Sequence, residues 1–243
     1  MIRFFRKIRQ NHLLNRRFSK YILYAIGEIF LVVIGILLAL QINNWNSDRI
    51  EKKSETQILV ELKQGLVLDL EIIRQEQLEI EMAIHKIMRL QELMEDPKKP
   101  YESGLDTLFG AVYGMRHLRL NTAFYEDLKS SGLSLIRDEQ IRLQIVQLFE
   151  NNYAEILGLS TNEQSVNEVN RPYYLSNFYD LDFWESATPN DHQQVWTDSY
   201  YHNIVDYRLI TLESNQVNYY ARIIPAMENL IKNINNYLTS LET

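Results

Sequence analysis

Cysteine is absent from the 243 residues, which excludes disulfides, thiolate metal sites and a lipoprotein attachment site. Proline numbers only 5 and glycine only 8, while hydrophobic residues make up 46%. So few turn formers argue for long helices rather than a sheet. Basic charge is scarce beyond the start of the chain: residues 46–243 hold 18 Lys+Arg against 31 Asp+Glu. An acidic surface of that kind repels phosphates, so nucleic acid is not expected as a partner. Catalytic signatures are missing as well. There is no HExxH, no Glu-x-x-His pair, no GxSxG and no dinucleotide-binding glycine pattern. Lys129-Ser130-Ser131-Gly132 superficially suggests a phosphate loop, but it lacks the GxxxxGK[ST] order and reads better as a helix ending in glycine. The expectation is a non-enzymatic protein with no cofactor and no bound metal.

What is present is one long apolar stretch, residues 21–42, YILYAIGEIFLVVIGILLALQI. At about 1.5 Å per residue it spans roughly 33 Å, close to a hydrocarbon core of about 30 Å. Its 14 Leu, Ile, Val and Phe residues outweigh the single acid, Glu28. On insertion scales they contribute roughly −4 to −8 kcal/mol against about 2.5–3.5 kcal/mol for the carboxylate. Tyr21 and Tyr24 at one end and Trp45 at the other sit where interfacial aromatic anchors belong. A signal peptide would have a shorter apolar core followed by a small-x-small cleavage site, and Leu37-Leu38-Ala39 is a poor one. A retained anchor in contact with the lipid bilayer is therefore expected.

Residues 1–20 carry seven basic side chains, Arg16, Arg17 and Lys20 nearest the apolar stretch, and no acid. The positive-inside rule places this segment in the cytoplasm and the large remainder across the membrane. In a Gram-negative cell that is the periplasm, with the anchor in the inner membrane. The expected domains are a basic cytoplasmic segment (1–20), a transmembrane helix (21–42) and an extracytoplasmic helical domain (43–243).

Tyr21, Tyr24, Glu28, Val32, Gly35, Ala39 and Ile42 fall within about 40° of one line on a helical wheel. Small residues and a buried acid on one stripe fit a helix–helix contact through Glu28, Gly35 and Ala39, with a membrane protein partner or a second copy. The competing reading is a carboxyl protonated in lipid or reaching toward Lys20 and Arg17.

The basic FFRKIRQ opening, FSKYILYAIGEI, VVIGILLALQINNWN and the later TAFYEDLKSSG resemble a family of single-span membrane proteins of Bacteroidota, especially flavobacteria. The resemblance implies a membrane topology and an envelope location. It brings no catalytic residues.

Beyond Trp45 the apolar periodicity predicts one long helix over 47–94. Leu59, Leu62, Leu66, Leu70, Ile73, Ile80, Ile84 and Ile87 line one side, and charges fill the others. A proline-bearing loop (95–103) leads to short helices near 104–115 and 122–132, with Asn121 as a cap. A helix over 138–170, capped by Asp138, should break or kink at Arg171-Pro172. Residues 173–197 read as irregular and aromatic, with a short helix from Pro189-Asn190. A last helix over 199–240 should kink at Pro225. Packed together these form an all-α antiparallel bundle on a stalk.

Two histidines pair with acids at helical spacing, Glu81/His85 and Asp198/His202, but two ligands do not complete a metal site. Nine of 15 tyrosines follow residue 170. They fit either core and gap filling or an aromatic surface that stacks on sugars or anchors a protein interface. The alternative function to an interaction or scaffold/accessory module is a ligand-sensing periplasmic helical bundle coupled to the membrane helix.

Overall fold

The computed structural model describes residues 2–114 and 118–242. The chain divides into two compact units, Met1–Ser54 and Glu55–Thr243, and α1 (Ile2–Met94) contributes to both. Proline is absent from this span, and Pro97 follows its end. The residue before a proline disfavours the α conformation, so the helix has a local reason to stop.

In the first unit every described residue of the apolar stretch from Ile26 to Ile42 is exposed. In the second, α1 supplies one wall of the core. All eight aliphatic residues expected on its inner side are buried, each at most 8% exposed. The expected charged exterior needs correction. Val67, Leu68, Ile72, Leu78 and Met82 lie on the outside of α1, exposed among polar residues.

The chain then passes through α2 (Asp106–Val112) and α3 (Ala123–Ser131). Asn121 Oδ1 accepts the Ala123 N–H at 3.2 Å, and Gly132 ends α3 with φ +109°, where a side chain would be strained. Asp138 caps α4 (Glu139–Gln147), accepting the Ile141 N–H at 2.8 Å. A π-helical segment, Leu148–Tyr153, joins α4 to α5 (Ala154–Asn177). A second one, Leu212–Val217, joins α7 (Ser199–Thr211) to α8 (Asn218–Glu242). Each π segment widens a turn and shifts the register of the face that follows.

Pro172 does not break α5, which runs on to Asn177. Proline costs a helix one hydrogen bond and a steric clash, about 3 kcal/mol. Tyr174 opposes that cost. It is fully buried, and its O–H lies 3.1 Å from both the Phe109 carbonyl and the Tyr201 hydroxyl. Pro225 likewise lies inside α8.

The stretch read as irregular contains a hairpin. Strand β1 (Phe178–Asp182) pairs antiparallel with β2 (Ser186–Pro189), with Phe178 opposite Pro189 and a bulge between Tyr179 and Asp182. Asp180 and Trp184 adopt positive φ, 49° and 68°. Ser186 of β2 crosses α2 so closely that a Cβ on Gly110 would stand 2.6 Å from its Cα. The short helix expected from Pro189 starts slightly later as α6 (His192–Thr197), capped by Asp191.

Aromatic side chains fill the space between the hairpin, α2 and α7. Phe109 meets Phe178, Trp196 and Tyr201 at ring separations of 5.4–6.2 Å, and Tyr174 stacks on Phe178 at 4.6 Å. This cluster continues the aliphatic core of α1, α4 and α8.

Candidate functional site

The apolar part of the first unit is long and hydrophobic enough to cross a membrane, with a mean hydropathy of 2.5 in its best window and none of that window buried. Glu28, Val32, Gly35, Ala39 and Ile42 are all exposed. A Cβ added to Gly35 would meet nothing within 4 Å. The expected contact stripe is thus an open surface of the chain itself. Trp45 is exposed, with the Arg49 guanidinium 5.8 Å above its ring. The side chains of Tyr21, Tyr24, Arg16, Arg17 and Lys20 lie outside the described residues.

Among the described residues the second unit buries three carboxylates, and each is engaged in the fold. Glu55 accepts the Arg137 N–H at 2.7 Å and the Tyr237 O–H at 3.0 Å. Asp69 accepts the Tyr153 O–H at 2.8 Å and the Asn121 N–H at 3.2 Å. Burial pushes Asp69 above the usual carboxylate range, and those two hydrogen bonds oppose the shift. Glu163 forms a bidentate pair with Arg208 at 2.9 and 2.8 Å and accepts a third bond from Gln216 at 2.6 Å. Arg208 is fully buried, and its guanidinium carbon lies 4.7 Å from the centre of the Trp184 ring. Glu55 and Asp69 therefore tie the loops flanking α3 to α1, while Glu163 ties α5 to α7.

Nearer the surface, Glu150 accepts from Tyr125 at 2.8 Å and from Lys129 at 3.0 Å. These bonds lower the Glu150 pKa, while desolvation and that carboxylate push the Tyr125 phenol up to about 12.

The histidine pairs have local partners. His85 Nδ1 lies 2.6 Å from the Glu81 carbonyl rather than its carboxylate. His202 Nε2 contacts the Trp196 carbonyl at 3.0 Å, while Asp198 caps α7 and accepts the Tyr173 O–H. Among the described residues no three acids or histidines gather as a metal site would require. Helix periodicity pointed to none of the buried acid contacts, because their partners lie on separate elements.

These features define a mainly helical protein that joins an apolar helix of membrane-spanning length to a helical unit with a polar-laced core. The chain belongs to the family of unknown function DUF6090, whose model matches residues 28–180, more than half of its length. The match starts at Glu28 and takes in Gly35, Ala39, Trp45, Asp69 and Glu163. No curated protein and no solved structure matches the chain.

Proposed function

We propose that the chain is a single-pass inner-membrane protein of the bacterial envelope, acting as a non-enzymatic interaction or accessory module. Residues 21–42 cross the bilayer, residues 1–20 remain cytoplasmic, and the helical bundle lies in the periplasm. Glu28, Gly35 and Ala39 contact another membrane helix, from a partner protein or a second copy. The observation that carries this reading is an apolar window of hydropathy 2.5 that the chain leaves wholly uncovered while it retains one acid. A carboxyl exposed to lipid is costly, and a hydrogen-bonding neighbour lowers that cost.

The test is co-purification of full-length protein from gently solubilised native membranes, comparing the wild type with Glu28→Leu. The expected result is a stoichiometric assembly that the substitution dissolves while membrane insertion is kept. Identical composition and size in both samples would remove Glu28 from the interface. The cysteine-free chain also allows a topology test with an impermeant maleimide on intact cells whose outer membrane admits the reagent. Ser240→Cys should label and Ser19→Cys should not; the reverse pattern would invert the orientation.

A further inference from the structure

A groove of about 460 Å³ lies where α4 and the π segment Leu148–Tyr153 meet α8. Gln140, Gln144, Gln147, Asn152 and Asn229 line it with amides. Leu143, 61% exposed, and Ala226 add apolar surface. Among the described residues no charged side chain lines it, although residues 46–243 hold 18 Lys+Arg against 31 Asp+Glu. Neighbouring charges have partners within the chain. Arg142 donates to the Ile136 carbonyl at 3.0 Å, Arg222 pairs with Glu155 at 3.2 Å, and Glu228 pairs with Arg74. Glu139 and Lys232, the other charges close by in sequence, are of opposite sign.

The π segment is an independent sign that this face is built. At 100° per residue, Gln140, Leu143, Gln144 and Gln147 lie within about 100° of one another on α4. An unbroken α-helix would put Asn152 about 120° from Gln140, at the angle of the buried Ile141 and Ile145. The extra residue of a π turn brings Asn152 back to about 20° and carries Tyr153 from about 220° to about 120°. Asn152 does line the groove and Tyr153 is buried, as that shift requires. Such turns gather at functional sites.

The chemistry of the lining selects the occupant. It offers a charged ligand no counterion and, with no aromatic ring, offers a sugar or base no stacking platform. A neutral protein face fits it. Gln144 is engaged, since its Oε1 accepts from Asn233 Nδ2 at 3.0 Å. Gln140, Gln147, Asn152 and Asn229 make no side-chain hydrogen bond to the described residues. An amide both donates and accepts, so it can pair with its own copy across a two-fold axis, where a carboxylate or an ammonium would meet a like charge. An Asn at the seam of a two-stranded coiled coil sets the pairing of its helices in the same position. On an acidic chain, an uncharged face is where two identical copies meet without repulsion.

We propose that the α4–α8 face of the second unit pairs with the same face of a second copy about a two-fold axis. Leu143 and Ala226 form the apolar part of the contact, and Gln140, Gln147, Asn152 and Asn229 exchange hydrogen bonds across the axis. The contact is isologous, and it does not depend on the contact assigned to Glu28.

The test uses the full chain, both in native membranes and purified in a non-ionic detergent. Because the sequence has no cysteine, single cysteines can be cross-linked selectively. Leu143→Cys and Gln147→Cys should each give a dimer with a short bis-maleimide, whereas Leu68→Cys, at a comparably exposed position on α1, should not. Leu143→Glu sets like charges together and should weaken the pairing read through Gln147→Cys about tenfold, leaving the thermal midpoint in place. Read through Leu143→Cys, Gln147→Glu and Gln147→Lys should each cross-link weakly alone and strongly as a mixture. The cross-link should persist in a Glu28→Leu background; its loss there would mean that the membrane contact, not this face, pairs the copies. No dimer at Leu143 or Gln147, equal yield at Leu68, or indifference to the charge variants would overturn the proposal and leave the Glu28 contact standing. So would a cross-link in native membranes to a different protein, because it would assign the face to that protein.

Discussion

Replacing Glu163 with leucine should be among the most damaging single substitutions in the second unit. The carboxylate accepts three hydrogen bonds, two of them from Arg208. Without it the fully buried guanidinium keeps one long bond to the Gly114 carbonyl, 3.4 Å, and the face of Trp184. Breaking a buried ion pair from one side costs about 3–5 kcal/mol, because the remaining charge stays desolvated. With a urea slope of about 3 kcal/mol/M, at the upper end for small proteins, the midpoint should fall by about 1–2 M. Tryptophan fluorescence of the full chain in non-ionic detergent would follow this transition, since Trp184 and Trp196 both lie in the second unit. The companion variant Glu163→Leu/Arg208→Met removes both charges and keeps the volume. Buried pairs replaced by apolar residues are often neutral or stabilising, so the double variant should recover most of the loss. A drop of less than about 0.3 M for Glu163→Leu, on the same slope, would refute this reasoning. A double variant as unstable as the single one would refute it equally.

Asp69 tests the opposite sign. Burial raises its pKa above 3.8, so the fold prefers the protonated form. Its contribution is greatest below the ordinary carboxylate pKa and declines as pH rises through the folded value. Asp69→Asn should therefore leave the urea midpoint at pH 7 unchanged or higher and flatten its dependence between pH 4 and 7. The amide oxygen can still accept the Asn121 N–H while its NH2 donates to the Tyr153 oxygen. A lower midpoint at pH 7 would show that the two hydrogen bonds outweigh desolvation. Gly110→Ala should cost about 1–3 kcal/mol through overpacking against β2, whereas Gly27→Ala, with nothing within 4 Å, should cost nothing measurable. Urea midpoints for Gly110→Ala and insertion yield for Gly27→Ala would check the contrast, and equal tolerance at both sites would contradict the close approach of the hairpin.

Much of the helical frame was legible because aliphatic spacing responds to one dominant cause, burial of one side of each helix. The eight aliphatic residues named on the inner side of α1 are buried, as are Ile141, Ile145, Leu148, Ile156 and Leu159 along α4 and α5, and Ile204, Leu212, Ile223, Leu230 and Ile234 toward the end of the chain. Asp138 was legible as a cap for the same reason, since its partner is three residues away. The hairpin was not. It lacks the usual two-residue glycine turn, and its bend relies on positive φ at Asp180 and Trp184, residues that give no local signal for it. Pro172 misled because the contacts that carry the helix past it belong to Phe109 and Tyr201, far away in sequence.

The polar core shows where the two kinds of sequence evidence part. By spacing, Ile156, Leu159, Glu163, Asn167, Asn170 and Tyr174 continue one row on α5, and all six are buried. By chemistry, the middle three resemble solvated helix residues. Periodicity had the correct side, while polarity pointed outward. Arg208 repeats the conflict on α7, in phase with Ile204 and Leu212. Each residue alone contradicts its position, and only the pair resolves the contradiction, because a charge can occupy a core position if its counterion does too. A charged residue in phase with a buried row on one helix, matched by an opposite charge in phase on another, is therefore a readable signal of a contact between them. Here that rule narrows the counterion of Arg208 to Glu55, Asp69 and Glu163, and the bidentate contact with Glu163 selects among them. It would not have found Trp184, whose position over Arg208 depends on the hairpin.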